Sequence, residues 1–171
     1  MQNNFFSRLS EVELVALDVD GVLTDNSLIC MEDGALLRTM NARDGYAMAE
    51  AAKAGIKLLI ITGGNSTGVL SRLQKLGLAD IYYNIRDKWP VLEQYCSEHQ
   101  IDTEKVIYMG DDILDYEVMR KSGLSACPAD AVPEIKAIAH YVCALPGGKA
   151  CVREVLELIL KAKDKWFKHP V

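Results

Sequence analysis

Two aspartates and a glycine follow an apolar run near the start of the chain. Residues 12–25 read VELVALDVDGVLTD, so that Asp18 and Asp20 end a stretch rich in Val and Leu. Side chains alternate along a strand, which places Asp18 and Asp20 on one side and Val19 on the other. Two carboxylates held this close repel each other unless a cation lies between them or one keeps its proton. Because Mg²⁺ prefers hard oxygen ligands, the pair predicts a magnesium site.

These two acids could divide the work of phosphoryl transfer. A carboxylate can attack phosphorus and form an aspartyl-phosphate, which splits hydrolysis into two easier displacements. We assign this nucleophilic role to Asp18. A second acid must protonate the leaving alkoxide and later activate water. Asp20, on the same face, is within reach of the bridging oxygen and takes that role.

Polar residues also follow three later predicted strands. Thr62 precedes two glycines and Lys88 follows the third strand, so both could donate to the charged oxygens of a transferring phosphoryl group. Asp111, in Gly110-Asp111-Asp112, is predicted to complete the Mg²⁺ site with Asp18 and the Asp20 carbonyl. Taken singly, Thr62 is more often a turn residue and Lys88 a solvated one. Their joint occurrence in this order is what favours a role in phosphoryl transfer.

Two further acids follow Asp111 within four residues. Asp112 and Asp115 are predicted to hold metal ligands or Lys88 in place.

Strands and helices alternate along the chain in a way that would bring these residues together. We predict strands within residues 12–18, 56–61, 80–83, 106–109, 124–127 and 141–145, and helices at residues 46–54, 66–76, 89–99, 114–121 and 151–165. Residues 26–40 predict a projecting β-hairpin with an apolar face, and residues 41–45 a polar loop. Such alternation is typical of a doubly wound, Rossmann-like parallel sheet with helices on both faces, whose ligands lie at the carboxyl ends of the strands.

Length, charge and cysteine usage limit the possible functions. A chain of 171 residues, 50% hydrophobic, predicts a single domain over residues 1–171. The net charge of −5, with basic residues scattered among acids, argues against a nucleic-acid partner. Five unpaired cysteines without metal-ligand spacing predict reduced thiols and a cytoplasmic protein. The sequence predicts no secretory signal and no membrane span, and we interpret His99, His140 and His169 as structural or solvent-facing.

The ordered residues Asp18 to Asp25, Thr62-Gly63, Lys88 and Gly110-Asp111-Asp112 resemble the four motifs of the haloacid dehalogenase superfamily of aspartate-nucleophile phosphatases. Only short segments separate the first three motifs, so the resemblance implies a member without a cap domain.

A finer resemblance comes from two further segments. Asn41-Ala42-Arg43-Asp44-Gly45 and the tail Gly147 to Glu154 are similar to signatures of the 3-deoxy-D-manno-octulosonate (KDO) 8-phosphate phosphatases, Mg²⁺-dependent enzymes of lipopolysaccharide biosynthesis. That resemblance implies a homotetramer joined by its hairpins, with a neighbour's C-terminal tail (about residues 146–171) near each active site. It also implies substrate contacts at Asp20, Asn41, Ala42, Arg43, Asp44, Gly45, Arg72 and Lys88.

The chain departs from that pattern at two places. Gly64 stands where arginine is usual after Thr-Gly, and Ala150-Cys151 stands where Gly-Ala is usual.

Three alternatives stay open. They are a phosphatase for a nine-carbon sugar acid 9-phosphate on the same scaffold, a receiver-like signalling domain, and a catalytically idle assembly domain.

Overall fold

A six-stranded parallel sheet forms the centre of the computed structural model, which describes residues 2–167. The strands are β1 (Leu14–Leu17), β4 (Lys57–Ile61), β5 (Ile81–Tyr82), β6 (Val106–Met109), β7 (Leu124–Cys127) and β8 (Tyr141–Val142), and β2 (Ile29–Cys30) and β3 (Leu36–Leu37) form a separate antiparallel hairpin. The sheet order is β5-β4-β1-β6-β7-β8, so β1 lies in the interior between β4 and β6.

Helices cover both faces of this sheet. They are α1 (Gln2–Arg8), α2 (Ala42–Lys53), α3 (Thr67–Lys75), α4 (Trp89–His99), α5 (Tyr116–Lys121), α6 (Pro133–Ile138) and α7 (Cys151–Ala162). Alternate residues of β1 enter different cores. Val15 and Leu17 pack with α2, α3 and α7, whereas Leu14 and Ala16 pack with α4, α5 and α6. Both faces of β1 are therefore buried, and this explains its unbroken apolar sequence.

The predicted fold class is confirmed. The sheet is parallel and doubly wound, a hairpin projects from it, and residues 2–167 include no cap domain. Helix α4 and strands β6 and β7 have the predicted bounds. Within residues 2–167, no helix combines the length and the apolar character that crossing a bilayer requires.

The start of α2 was predicted wrongly. Residues 42–45 were expected in a polar loop, but they form the first turn of the helix. Asn41 is the N-cap, and its side chain accepts a hydrogen bond from the Arg43 N–H at 2.8 Å. Asp44 in the first turn adds a favourable charge near the positive end of the helix. Asn followed three residues later by an acid was the signal for this start.

Other differences concern short or terminal elements. Helices α1 and α6 were not predicted, because seven and six residues are too few to establish a clear helical period. Residues 113–115 form a 3-10 turn before α5, β8 is shorter than predicted, and α7 ends at Ala162 instead of residue 165. The His99 ring packs against Tyr95 at 4.1 Å between centroids with the planes inclined by 44°, and His140 contacts Ser125 through Nδ1 at 2.9 Å, which fits structural roles. His169 lies outside the described residues.

Ala150, at the N-cap of α7, is one of the two departures from the family pattern, and its backbone conformation is unfavourable for a residue with a Cβ. Its φ of 78° and ψ of 24° are in the left-handed region, where a Cβ costs about 1–2 kcal/mol. We expect Ala150→Gly to raise the free energy of unfolding by about 1 kcal/mol, because the folded-state strain exceeds the extra unfolded-state entropy of Gly. Thermal denaturation measures the change. Ala52→Gly, at an exposed position in the last turn of α2, is the control and should destabilise by up to about 1 kcal/mol. A loss of stability in both variants would contradict strain at Ala150.

Candidate active site

A crevice of about 350 Å³ opens at the carboxyl ends of β1, β4 and β6. Its walls come from the loops that follow these strands and β5. The lining residues are Asp18, Asp20, Thr62, Gly63, Gly64, Arg86, Lys88, Asp112, Leu114 and Asp115. The four predicted catalytic residues are therefore all in one crevice. Parallel strands place the residues that follow them at one edge, which is why segments distant in sequence meet here.

Lys88 is the buried cation of the crevice. Its residue is only 2% exposed, and its Nζ lies 2.7 Å from Asp18 Oδ2 and 2.6 Å from Asp115 Oδ1. Burial by itself lowers the pKa of a lysine, but the two carboxylates outweigh this effect and the net pKa of Lys88 is raised. Lys88 is therefore a fixed positive charge beside the predicted nucleophile.

Asp115 links the parts of the site. Its carboxylate accepts hydrogen bonds from Lys88 Nζ, from the Tyr108 hydroxyl at 2.9 Å and from the Asp111 N–H at 3.0 Å. A completely buried carboxylate with this many donors holds its neighbours instead of reacting. The role of Asp115 in holding Lys88 or a metal ligand during the reaction stays a prediction. Asp112 instead uses its side chain to accept from the Ile113 N–H and cap the following turn.

Three carboxylates converge at the predicted metal position. One oxygen each from Asp18, Asp111 and Asp115 can be chosen so that all three lie within 4.8 Å of one another. Gly21 makes this approach possible, because its φ is 86° and a Cβ there would overlap the Asp111 carboxylate. Asp115 accepts from four donors, namely Lys88, the Tyr108 hydroxyl and the Asp111 and Asp112 N–H groups, whereas Asp18 accepts only from Lys88 and the Val19 N–H among the described residues. Asp18 and Asp111 therefore keep lone pairs for a cation. The Asp20 side chain is bound elsewhere, so its predicted contribution is the main-chain carbonyl.

The electrostatics of this cluster fit a divalent cation. Burial, followed by the charge of Asp115, raises the pKa of Asp18 to about 7 even though Lys88 opposes the shift. Burial, followed by Asp115 and Asp18, raises the pKa of Asp111 to about 8. Negative charge is thus in excess at this position. The residues present fit Mg²⁺ in number, charge and ligand type.

We expect Mg²⁺ to stabilise the protein more at about pH 8 than at about pH 6. Both carboxyls have folded-state pKa values above the ordinary 3.8, so without metal the folded state favours their protonated forms. The stability that this gives is fully present below a pH of about 3.8 and is lost as the pH rises toward 7 to 8. A bound cation uses the ionised forms, and ligand at a hundred times Kd adds about 2.7 kcal/mol. Melting temperatures with chelator and with Mg²⁺, at both pH values, measure the effect.

Asp111→Asn provides the control for this expectation. The variant keeps the shape of the side chain but cannot supply a charged ligand, so both the Mg²⁺ effect and its pH dependence should disappear. An equal Mg²⁺ shift in wild type and variant would place the ion somewhere else.

The Asp20 carboxylate has a partner that the sequence reasoning missed. Arg38, just after β3, donates from Nε to Asp20 Oδ1 at 2.6 Å and from a terminal nitrogen to Asp20 Oδ2 at 3.0 Å. Thr62 is buried, and its hydroxyl accepts from the Gly64 N–H at 3.1 Å, which shapes the loop beside Asp20. Arg86 on the crevice wall was missed as well. A basic residue two positions before Lys88 was its only signal.

The residues predicted to contact substrate fall into two groups. Asp20 and Lys88 line the crevice, whereas residues 41–45 are not part of the walls given above. Arg72 is exposed on α3 and lines a different groove, between that helix and the hairpin. Roles in substrate binding for residues 41–45 and Arg72 stay predictions.

Asn41 and Asp44 connect α2 to the tail of the same chain. Asn41 Nδ2 donates to the Gly148 carbonyl at 3.2 Å, and Asp44 accepts from the Arg153 N–H at 2.7 Å. Asp44 is buried, and burial raises its pKa to about 6, although hydrogen bonds from the Arg153 and Ala150 N–H groups oppose this shift. The Gly148 N–H donates to the Val22 carbonyl at 3.0 Å, and Val22 belongs to the first motif, residues 18–25. Hydrogen bonds therefore connect residues 41–45 to the tail, and the tail to the motif that contains the predicted nucleophile.

Comparisons with known proteins agree with this geometry. Residues 77–146 match the family model of haloacid dehalogenase-like hydrolases. A KDO 8-phosphate phosphatase, KdsC, of Yersinia pestis is 36% identical over 163 residues, which cover 95% of this chain and 87% of the relative.

Solved structures give the same result. The crystal structure of a KDO 8-phosphate phosphatase from Moraxella catarrhalis, in complex with magnesium, phosphate and KDO, superposes with a TM-score of 0.92 at 31% identity, covering 96% of this chain and 94% of that one. A cobalt-bound phosphatase of the same kind from Haemophilus influenzae superposes with a TM-score of 0.89 at 28% identity, covering 92% of each chain.

Proposed function

Because the chain belongs to the KDO 8-phosphate phosphatase family of haloacid dehalogenase-like hydrolases, we propose that it hydrolyses KDO 8-phosphate to the free sugar acid and phosphate. The convergence of Asp18, Lys88 and Asp115 in one crevice carries this assignment, with Asp20 at its wall and the Asp111 carboxylate beside Asp18 and Asp115. Membership of a phosphatase family also argues against the receiver-like and catalytically idle alternatives, since both acids that the reaction needs are present.

The reaction proceeds in two displacements. A carboxylate oxygen of Asp18 bonds to phosphorus while the bond from phosphorus to the sugar oxygen breaks, and Asp20 gives its proton to that oxygen. Water then attacks the phosphorus of the aspartyl-phosphate, Asp20 takes the proton from the water, and the Asp18 oxygen leaves. Lys88 opposes the effect of burial on Asp18 and so favours its ionised, nucleophilic form. The Thr62 hydroxyl and the Gly63 N–H donate to the transferred oxygens, since the Gly64 N–H already donates to Thr62 Oγ1.

Asp18, Asp111 and the Asp20 carbonyl would hold Mg²⁺. When it is bound, this ion neutralises charge on the phosphoryl group and orients it.

A phosphate-release screen tests the substrate. KDO 8-phosphate, a nonulosonate 9-phosphate and simple sugar phosphates are compared by kcat/KM, with Mg²⁺ and with chelator. We expect the highest value for the eight-carbon ester and Mg²⁺ dependence throughout. A clear preference for the nine-carbon ester would establish the alternative on the same scaffold. Absence of Mg²⁺-dependent turnover on all of these esters would reject the phosphatase assignment.

Assembly into a homotetramer is the second part of this proposal. Five large apolar side chains of the hairpin region are 45–55% exposed, namely Leu28, Ile29, Met31, Leu36 and Leu37. An apolar surface of this kind favours burial against other copies of the chain. Residues 146–166 pack on their own chain, and a neighbour's tail near each active site is part of the proposal on the strength of the family alone.

Light scattering tests the assembly. A tetramer mass is expected for the wild type and a smaller mass for the double variant Ile29→Asp/Leu37→Asp. A wild-type monomer would reject the tetramer.

The five free cysteines and the absence of any disulfide among the described residues support a cytoplasmic enzyme.

A further inference from the structure

Arg38 and Asp20 form a two-pronged ion pair at the wall of the crevice. Both carboxylate oxygens are engaged, at 2.6 Å and 3.0 Å. The Arg38 side chain is 9% exposed and that of Asp20 is 31% exposed, so the pair is partly shielded from water. A planar guanidinium that meets a carboxylate through two parallel bonds restricts its orientation, which a lysine cannot do.

The surroundings fix the guanidinium in this position. Arg38 also donates to the Leu36 carbonyl of its own hairpin at 3.3 Å. Gly64 leaves space for the pair, because a Cβ at that position would lie 3.3 Å from Asp20 Oδ2 and 3.8 Å from a terminal nitrogen of Arg38. Within residues 2–167, the Asp20 carboxylate accepts one further hydrogen bond, from the Thr24 hydroxyl to Oδ1 at 3.4 Å.

No other cation competes for Asp20 among the ion pairs of the described residues. Lys88, the other basic group with a carboxylate partner in the crevice, is committed to Asp18 and Asp115. The two acids of the first motif therefore have separate cations. Lys88 comes from the loop after β5, and Arg38 comes from the hairpin.

We propose that Arg38 is the positioning residue for the proton transfers of Asp20. By occupying one lone pair on each oxygen, the guanidinium fixes the plane of the carboxyl group. Thr24 contacts Oδ1, so the second lone pair of Oδ2 stays free for proton transfer. In the first displacement the Asp20 proton passes to the sugar oxygen as its bond to phosphorus breaks. In the second, Asp20 takes a proton from the attacking water. The inference rests on the proposed function, which assigns these transfers to Asp20.

One consequence connects the hairpin to the chemistry. Arg38 follows β3 directly, so the position of the hairpin sets the position of the guanidinium and, through it, of the Asp20 carboxyl. Misplacing a catalytic group by about 1 Å can cost about a hundredfold in rate. The hairpin would then be part of the chemical machinery as well as an assembly surface.

Leaving-group dependence separates this role from a structural one. Arg38→Met keeps the length of the side chain and removes its charge, and Arg38→Lys keeps the charge but not the fork. Each is purified at the same oligomeric mass as the wild type and assayed on p-nitrophenyl phosphate, phenyl phosphate and KDO 8-phosphate. The first ester has a leaving group that departs without a proton, whereas the sugar alkoxide needs one.

For Arg38→Met we expect kcat on KDO 8-phosphate to fall by about 10- to 100-fold, within the contribution of positioned acid catalysis, with about a threefold loss or less on p-nitrophenyl phosphate. Phenyl phosphate should be intermediate, KM should change little, and Arg38→Lys should recover part of the loss. Asp20→Asn should give the same order of leaving-group sensitivity, and Arg120→Ala, at an exposed position on α5, should match the wild type. Equal losses on all three esters for Arg38→Met would overturn the inference, as would a change in KM alone. Failure of the wild type to release phosphate from KDO 8-phosphate would reject the substrate, and the comparison of the two aryl esters would still test Arg38.

Discussion

Asp18→Asn is expected to lower turnover by about 10⁴-fold or more without unfolding the protein. Removing a nucleophile leaves only the catalysis that the rest of the site gives to direct attack by water. The fold should tolerate the change because Asn has the same shape and no charge to desolvate. Since burial raises the pKa of Asp18 to about 7, the variant should melt no lower than the wild type at about pH 8 in chelator.

Trapping of the phosphorylated enzyme makes this expectation specific. Mass spectrometry after rapid quenching with p-nitrophenyl phosphate should detect a phosphoryl adduct on Asp18 in the wild type. Asp20→Asn should accumulate more of this adduct, because the second displacement lacks its base. Asp18→Asn should form none. Activity near that of the wild type in Asp18→Asn, in a correctly folded sample, would mean that the nucleophile is elsewhere.

Much of the crevice could be predicted because its residues follow buried strands. An apolar run that ends in an acid needs no tertiary information to be identified, and parallel pairing then brings Asp18 and Asp111 to one edge. The same reasoning placed Thr62 and Lys88. These predictions depended on strand ends, which the sheet itself holds in place.

The residues that support the site could not be predicted in this way. Arg38 reaches Asp20 only because the hairpin folds back over the first-motif loop, and no local pattern specifies that return. Asn41 and Asp44 contact groups 107 and 109 residues away, across the packing of α2 on α7. Such contacts depend on how helices dock, whereas periodicity reports only which face of each helix is buried.

The departure at Gly64 has a physical interpretation that the sequence did not offer. In the structure the space beside Gly64 is where Asp20 and Arg38 meet. A cation is therefore present at this wall of the crevice, but it comes from the hairpin instead of the loop after β4.

Lys88→Met is expected to give the largest loss of stability, about 3–5 kcal/mol at about pH 8, the usual cost of removing one partner from a buried ion pair. Asp18 and Asp115 would then face each other without their shared cation. The loss should be smaller at about pH 5. Lys88 lowers the pKa of Asp18, so its removal raises that pKa further above 7, and the protonated carboxyl carries no buried charge. Denaturant unfolding in chelator at both pH values measures the difference.

A double-variant cycle assigns this loss to the ion pair. Lys88→Met leaves Asp115 as an uncompensated buried charge, so adding Asp115→Asn should restore part of the stability even though it removes a further hydrogen-bond acceptor. Turnover should not recover, because Lys88 is also needed beside the phosphoryl group. Additive losses in the double variant would mean that Lys88 stabilises the fold through its packing and not through its charge. A pH-independent loss would lead to the same conclusion, because the volume of the methylene chain does not change with protonation.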